Sequence, residues 1–116
     1  MSKSLRDYSS KQEDYVAKVL DGKVNSNSGA TPFYKGDVLV KDASMLVECK
    51  TKTKPSSSFS VKQEWLIKSN EESLAMGCTR KALAISFDNE SSYYLIDERM
   101  MKEYLYLLRK DLKGEF

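Results

Sequence analysis

The stretch from residue 37 to residue 50 constrains this 116-residue chain more than any other. Two short apolar runs, DVLV at 37–40 and MLVECK at 45–50, flank KDAS at 41–44, and this pattern predicts two adjoining strands joined by a turn. Val38 to Val40 and Leu46 to Val47 leave neither strand a polar side, so both are expected inside a sheet covered on each face. Side chains alternate along a strand, so Leu46, Glu48 and Lys50 share one face while Met45, Val47 and Cys49 share the other. Asp37 heads the first strand, and ionised groups in such a place are costly unless they are paired or bound to a metal.

Cover for the sheet is legible on either side of this stretch. Residues 1–9 lack apolar periodicity and read as a flexible arm, either a frayed terminus or a basic arm carrying Lys3 and Arg6. From Ser10, the residues Val16, Ala17, Val19 and Leu20 recur at helical spacing, and Gly22 stands where a C-terminal cap is wanted. Glu13 precedes Val16, Ala17 and Leu20 by three, four and seven residues, which places it along the buried stripe. It is either a residue whose stem packs while its head reaches water or a third carboxylate leaning towards Asp37 and Glu48. Lys23 to Asn25 reads as the start of a strand, and residues 25–31 as a small polar loop.

Downstream, Pro55 and residues 56–58 break the chain. Ser60 and Gln63 have the spacing of a capping box, so residues 61–76 are expected as a helix ending at Gly77. Trp65, Leu66, Leu74 and Ala75 are its expected buried side, with Lys68, Asn70, Glu71 and Glu72 facing out. Residues 81–87 and 91–96 read as further strands, and Asp97 as the cap of a last helix over 98–113. In that helix Met100, Met101, Tyr104, Leu105, Leu107 and Leu108 make a broad apolar surface, fitting either burial in its own domain or self-association. The elements add up to an α/β fold in a single domain, 1–116, with a central sheet flanked by helices.

Composition removes whole classes of chemistry. The chain has no histidine, which excludes a Ser-His-Asp triad, a Cys-His pair and a histidine general base. Two distant cysteines, Cys49 and Cys78, cannot close a tetrahedral zinc shell and read as reduced thiols of a cytoplasmic protein. No apolar run approaches the roughly 20 residues that cross a bilayer, and the first residues lack the apolar stretch of a secretory signal. Hydrolytic chemistry must then run on carboxylates, lysine and a hard, oxygen-loving cation. The net charge of +2 argues little for nucleic acid, whereas the series Lys50, Lys52 and Lys54, extended onto the face of Glu48, would form a positive track. Lys62 and Gln63, in the first turn of the following helix, could reach a phosphate or orient a water, or serve as ordinary surface residues. By itself Glu48-Cys49-Lys50 is equally a Glu-Lys ion pair at a strand end.

Taken in order, a helix with Glu13, then Gly36-Asp37, then Glu48-Cys49-Lys50, then a helix opening with Lys62-Gln63, resembles the PD-(D/E)XK nuclease superfamily. Within it, residues 10–96 look most like the archaeal and phage type of Holliday junction resolvase. Gly36 stands where the superfamily's name calls for proline. The resemblance implies a restriction-endonuclease-like core with a mixed sheet, and a metal-dependent endonuclease that cuts four-way DNA junctions. It implies that Glu13, Asp37, Glu48 and the backbone carbonyl of Cys49 hold Mg²⁺, with Mn²⁺ able to substitute. Lys50 would position or help deprotonate the attacking water and stabilise the transition state, and Gln63 would support the site. Ser28, Gly29, Lys52, Lys54 and Lys62 would contact DNA. Cutting two opposed strands implies a homodimer, and a phage or prokaryotic cytoplasm would suit such an enzyme. Two other readings stay open on the residues alone: a nicking, restriction-type or end-directed nuclease with the same site, and a non-catalytic DNA-binding module.

Overall fold

The computed structural model describes residues 5–25, 37–88 and 92–115, with 5–10 as backbone only. The order of elements is α1 (Leu5–Leu20), β1 (Lys23–Asn25), β2 (Asp37–Val40), β3 (Met45–Thr51), α2 (Gln63–Ala75), β4 (Arg80–Ser86), β5 (Tyr93–Leu95) and α3 (Glu98–Leu112), with a 3₁₀ turn at Lys41–Ala43. The strands form one mixed sheet in sequence order, antiparallel except for the parallel pair β3–β4. The chain is thus an α/β protein, with a five-stranded sheet and three helices among the described residues. No helix among the described residues is long and apolar enough to cross a membrane.

Alternation along the strands divides the sheet into two differently furnished faces. Val38 and Val40, Val47 and Cys49, and Ala82 and Ala84 gather with Val16 of α1 into one core. Their sequence neighbours Asp37, Leu46, Glu48 and Leu83 therefore point the other way, towards α2. Since β3 has an apolar neighbour on each side, its central position follows from its composition.

Four local readings are corrected. Helix α1 begins at Leu5, so residues 5–9 are helical and no loose arm extends through them; this first turn and a half carries no apolar stripe by which sequence could mark it. Its end uses a left-handed residue, but that residue is Asp21, with φ 54°. Gly22 serves a second purpose: a Cβ there would stand 2.9 Å from the Leu39 carbonyl oxygen and 3.0 Å from Val38 Cγ1, so its bareness lets the chain turn tightly against β2.

Helix α2 begins at Gln63 with Lys62 as its N-cap and no side-chain cap bond, so Ser60 and Gln63 form no capping box. The buried side of α2 is only in part the expected one: Trp65 and Leu66 are half-buried, but Ala75 is exposed. Ser69 and Ser73 face the sheet, whereas Leu74 is 68% exposed. The C-terminus closes as expected, with Gly77 at φ 72° and the amide of Cys78 donating to the Ser73 carbonyl at 2.8 Å.

Helix α3 is capped as its sequence suggests, the Asp97 carboxylate accepting from the Met100 amide at 2.8 Å. Its attachment to the sheet is polar: Arg80 Nε donates to Glu103 Oε1 at 2.5 Å, Lys81 pairs with Asp97 at 3.6 Å, and Arg99 donates to the Thr79 carbonyl. None of its residues is buried, so its apolar stripe does not join the chain's own core.

A candidate metal centre on the α2 face of the sheet

The turn at 41–44 sets the register of the hairpin: Val40 lies opposite Met45, and counting back brings Asp37 opposite Glu48. Both side chains emerge on the α2 face, and Glu72 reaches them from the last turn of that helix. One carboxylate oxygen from each of Asp37, Glu48 and Glu72 lies within 4.8 Å of the others, close enough for all three to share one cation. Asp37 is buried and its Oδ1 has no hydrogen-bond partner among the described residues.

Crowding three acids into so small a space has an electrostatic consequence. The Asp37 carboxyl is pushed up to about 9 from an ordinary 3.8. Burial is the largest cause, followed by its hydrogen bond to Glu48 and the Glu48 charge, and then by the charge and hydrogen bond of Glu72. Without a cation the cluster therefore keeps a proton on Asp37 at neutral pH. A divalent cation does the same job better, since it neutralises more charge and accepts several oxygens at once. All-oxygen donors suit a hard cation, so the residues fit such an ion.

Lys50 flanks the cluster on the same face, its Nζ 3.4 Å from Glu48 Oε1 and 4.8 Å from the centre of the Trp65 ring. Behind it, Gln12 of α1 is fully buried and donates through Nε2 to the carbonyls of Lys50 at 2.9 Å and Ala84 at 3.1 Å. This side chain ties α1 to the ends of the two parallel strands. Ligand sites of open α/β sheets favour such carboxyl ends of strands.

The remaining candidates are distributed around this centre. Glu13 is fully buried on α1, outside the group of three, and its charge acts on Cys49 of the other face. Burial first, then the charges of Glu13, Asp37 and Glu48, hold the Cys49 thiol protonated, and both cysteines are free and buried. Gln63 and Lys62 are exposed at the start of α2, with Lys62 Nζ 5.8 Å from the Trp65 ring. Lys52 extends the edge of β3 by donating its amide to the Ser86 carbonyl, and its Nζ stands 5.2 Å over Phe59. The chain bends at 53–54, so Lys54 leaves the line of the strand. Ser28, Gly29 and Gly36 lie outside the described residues.

Sequence reasoning missed Glu72 and Gln12. Glu72 was assigned to the exposed side of α2 because Leu74 and Ala75 were expected inside. The signal that could have found it is Ser69 and Ser73, small residues four apart that let the helix lie close to the sheet. Comparison with protein-family models, curated proteins and solved structures finds no match for the chain.

Proposed function

We propose that this chain is a Mg²⁺-dependent endonuclease of the PD-(D/E)XK kind that acts on branched DNA. The observation that carries this reading is the pairing of Asp37 with Glu48 across the hairpin, joined by Glu72, with the Lys50 amine 3.4 Å from Glu48. Asp37, Glu48 and Glu72 are the residues that would hold the ion. A divalent cation supplies Lewis acidity at the phosphoryl oxygen and a nucleophile at neutral pH. Lys50 places a positive charge where the phosphate's equatorial oxygens gain negative charge, and its pairing with Glu48 fixes its position before substrate arrives. Gln12 holds the Lys50 carbonyl and so resists displacement of this strand end. Lys52 and Lys62 give the approaching phosphate backbone further cationic contacts.

A junction presents two strands to be cut, which calls for two copies of the site. The uncovered apolar stripe of α3, with Met101 49% and Leu107 45% exposed, is the surface we assign to self-association. The decisive experiment is cleavage of a four-way junction, a flap and a linear duplex of equal length by purified protein with Mg²⁺ or Mn²⁺. Junction nicking by the wild type and none by a Lys50→Ala variant that still binds the junction is the expected outcome. No cleavage of any of the three substrates by the wild type would refute the reading, and preference for the flap or duplex would move it to another nuclease of the same chemistry.

A further inference from the structure

Next to the carboxylate cluster lies a second feature that phosphate hydrolysis does not require. Four aromatic rings form a continuous edge-to-face chain at the carboxyl ends of β3 and β4. Trp65 meets Phe59 at 6.3 Å and 70°, Phe59 meets Phe87 at 5.8 Å and 84°, and Phe87 meets Tyr93 at 6.5 Å and 82°. Successive rings stand nearly perpendicular, so each fixes the tilt of the next. The chain runs from the metal centre outward: Lys50, paired with Glu48, lies over Trp65, whereas the outer members Phe87 and Tyr93 are 39% and 66% exposed. Sheet register reaches the same placement independently, since Tyr93 pairs with Ile85 and Ile85 with Lys50.

Charge identifies the kind of ligand. Three ammonium groups, Lys50, Lys52 and Lys62, lie within 5.8 Å of ring centres at the inner end of this chain. A platform of exposed rings edged by amines suits a polyanion that also offers flat, apolar faces, which describes nucleotides whose bases are not enclosed in a duplex. Paired bases stack on each other and cannot reach a side chain in this way. Unpaired ones, as at a flap, a gap or a branch point whose adjoining pairs have opened, can.

We propose that Phe87 and Tyr93 form a stacking site for an unpaired base next to the scissile phosphate, so that this chain recognises single-stranded character at the branch by its aromatic platform. The inference rests on the nuclease reading for its substrate, but stacking is testable without cleavage. Trp65 is the chain's sole tryptophan and stands at the inner end of the ring chain, so its fluorescence reports on the platform directly.

The 116-residue protein in EDTA, where no cleavage occurs, is titrated with a short oligo(dT) and with a duplex of the same length. Oligo(dT) is expected to change Trp65 emission and to bind more tightly than the duplex. Tyr93→Leu, which keeps an apolar side chain but removes the ring, should weaken oligo(dT) binding by about tenfold and leave duplex binding and its salt dependence unchanged. Tyr93→Phe should restore it. Phe87→Leu provides an independent test should the β5 variant fold poorly. Equal affinity for the two DNAs, or oligo(dT) binding that survives both leucine variants, would overturn the proposal whatever the cleavage assay gives. Stacking retained by a protein that cuts no DNA would instead uphold this site and remove the nuclease.

Discussion

Replacing Asp37 by asparagine should stabilise the protein in the absence of metal, and the size of the effect follows from the geometry of the cluster. In the unfolded chain Asp37 titrates near 3.8, whereas beside Glu48 and Glu72 it titrates at about 9. Folding at pH 7 must then place a proton on it. The interval from 3.8 to pH 7 is about three pH units, at 1.36 kcal/mol each, so proton uptake costs roughly 4 kcal/mol. Because the folded value is the higher one, this group contributes its full stability below pH 3.8 and loses it steadily as the pH rises towards 9. Asparagine needs no proton, and its amide can donate to the same carboxylates. The ceiling on its gain is therefore about 4 kcal/mol at pH 7, and about 1–3 kcal/mol is expected because the amide's geometry differs from that of a shared carboxyl proton. Calorimetric melting in EDTA should show Asp37→Asn melting about 4–12 °C above wild type, with a gap that widens from pH 5 to pH 8. Mg²⁺ at a hundredfold excess over Kd should close most or all of that gap, since the wild type gains about 2.7 kcal/mol from binding. A variant that melts below wild type in EDTA, or a gap independent of pH, would refute this account of the cluster.

Three further substitutions probe the architecture around it. Glu72→Ala should weaken Mg²⁺ binding at least about tenfold by titration calorimetry, while Glu71→Ala, one residue along on the exposed side of α2, leaves it unchanged; equal losses would mean that general charge, and not this cluster, attracts the ion. Gln12→Ala leaves the carbonyls of Lys50 and Ala84 without this buried donor and should cost about 1–3 kcal/mol in urea denaturation. Gly22→Ala pushes a methyl to within 2.9 Å of a backbone oxygen and should cost about 1–3 kcal/mol; a stability change near zero would show that β2 yields easily at this point.

Strand residues were more legible than helix residues, for a physical reason. A strand has only two faces, so once 37–40 and 45–50 are read as a hairpin, the turn length dictates that Asp37 faces Glu48 and that Lys50 lies beyond it. A helix can be rotated continuously, and its buried side is read from where the apolar residues fall. In α2 that guide failed, because the side facing the sheet carries Ser69 and Ser73 while Leu74 projects outward. The rotation that buries the serines is the one that carries Glu72 into the cluster. Gly22 shows the same limit on a smaller scale: sequence marks a helix end there, but only the nearness of β2 reveals why a side chain would not fit.

The sequence by itself thus determined an α/β sheet, a hairpin that brings two acids and an amine together, and the exclusion of histidine chemistry. Each of these follows from local alternation, a short turn or the absence of a residue type. The tertiary structure alone decided the third carboxylate, the buried brace of Gln12, the separation of Glu13 from the group of three, and the uncovered stripe of α3. It also assembled the ring chain from Phe59, Trp65, Phe87 and Tyr93, which are scattered over more than thirty positions. Those features depend on how distant segments settle against one another, and packing of that kind leaves no period in the chain to be read.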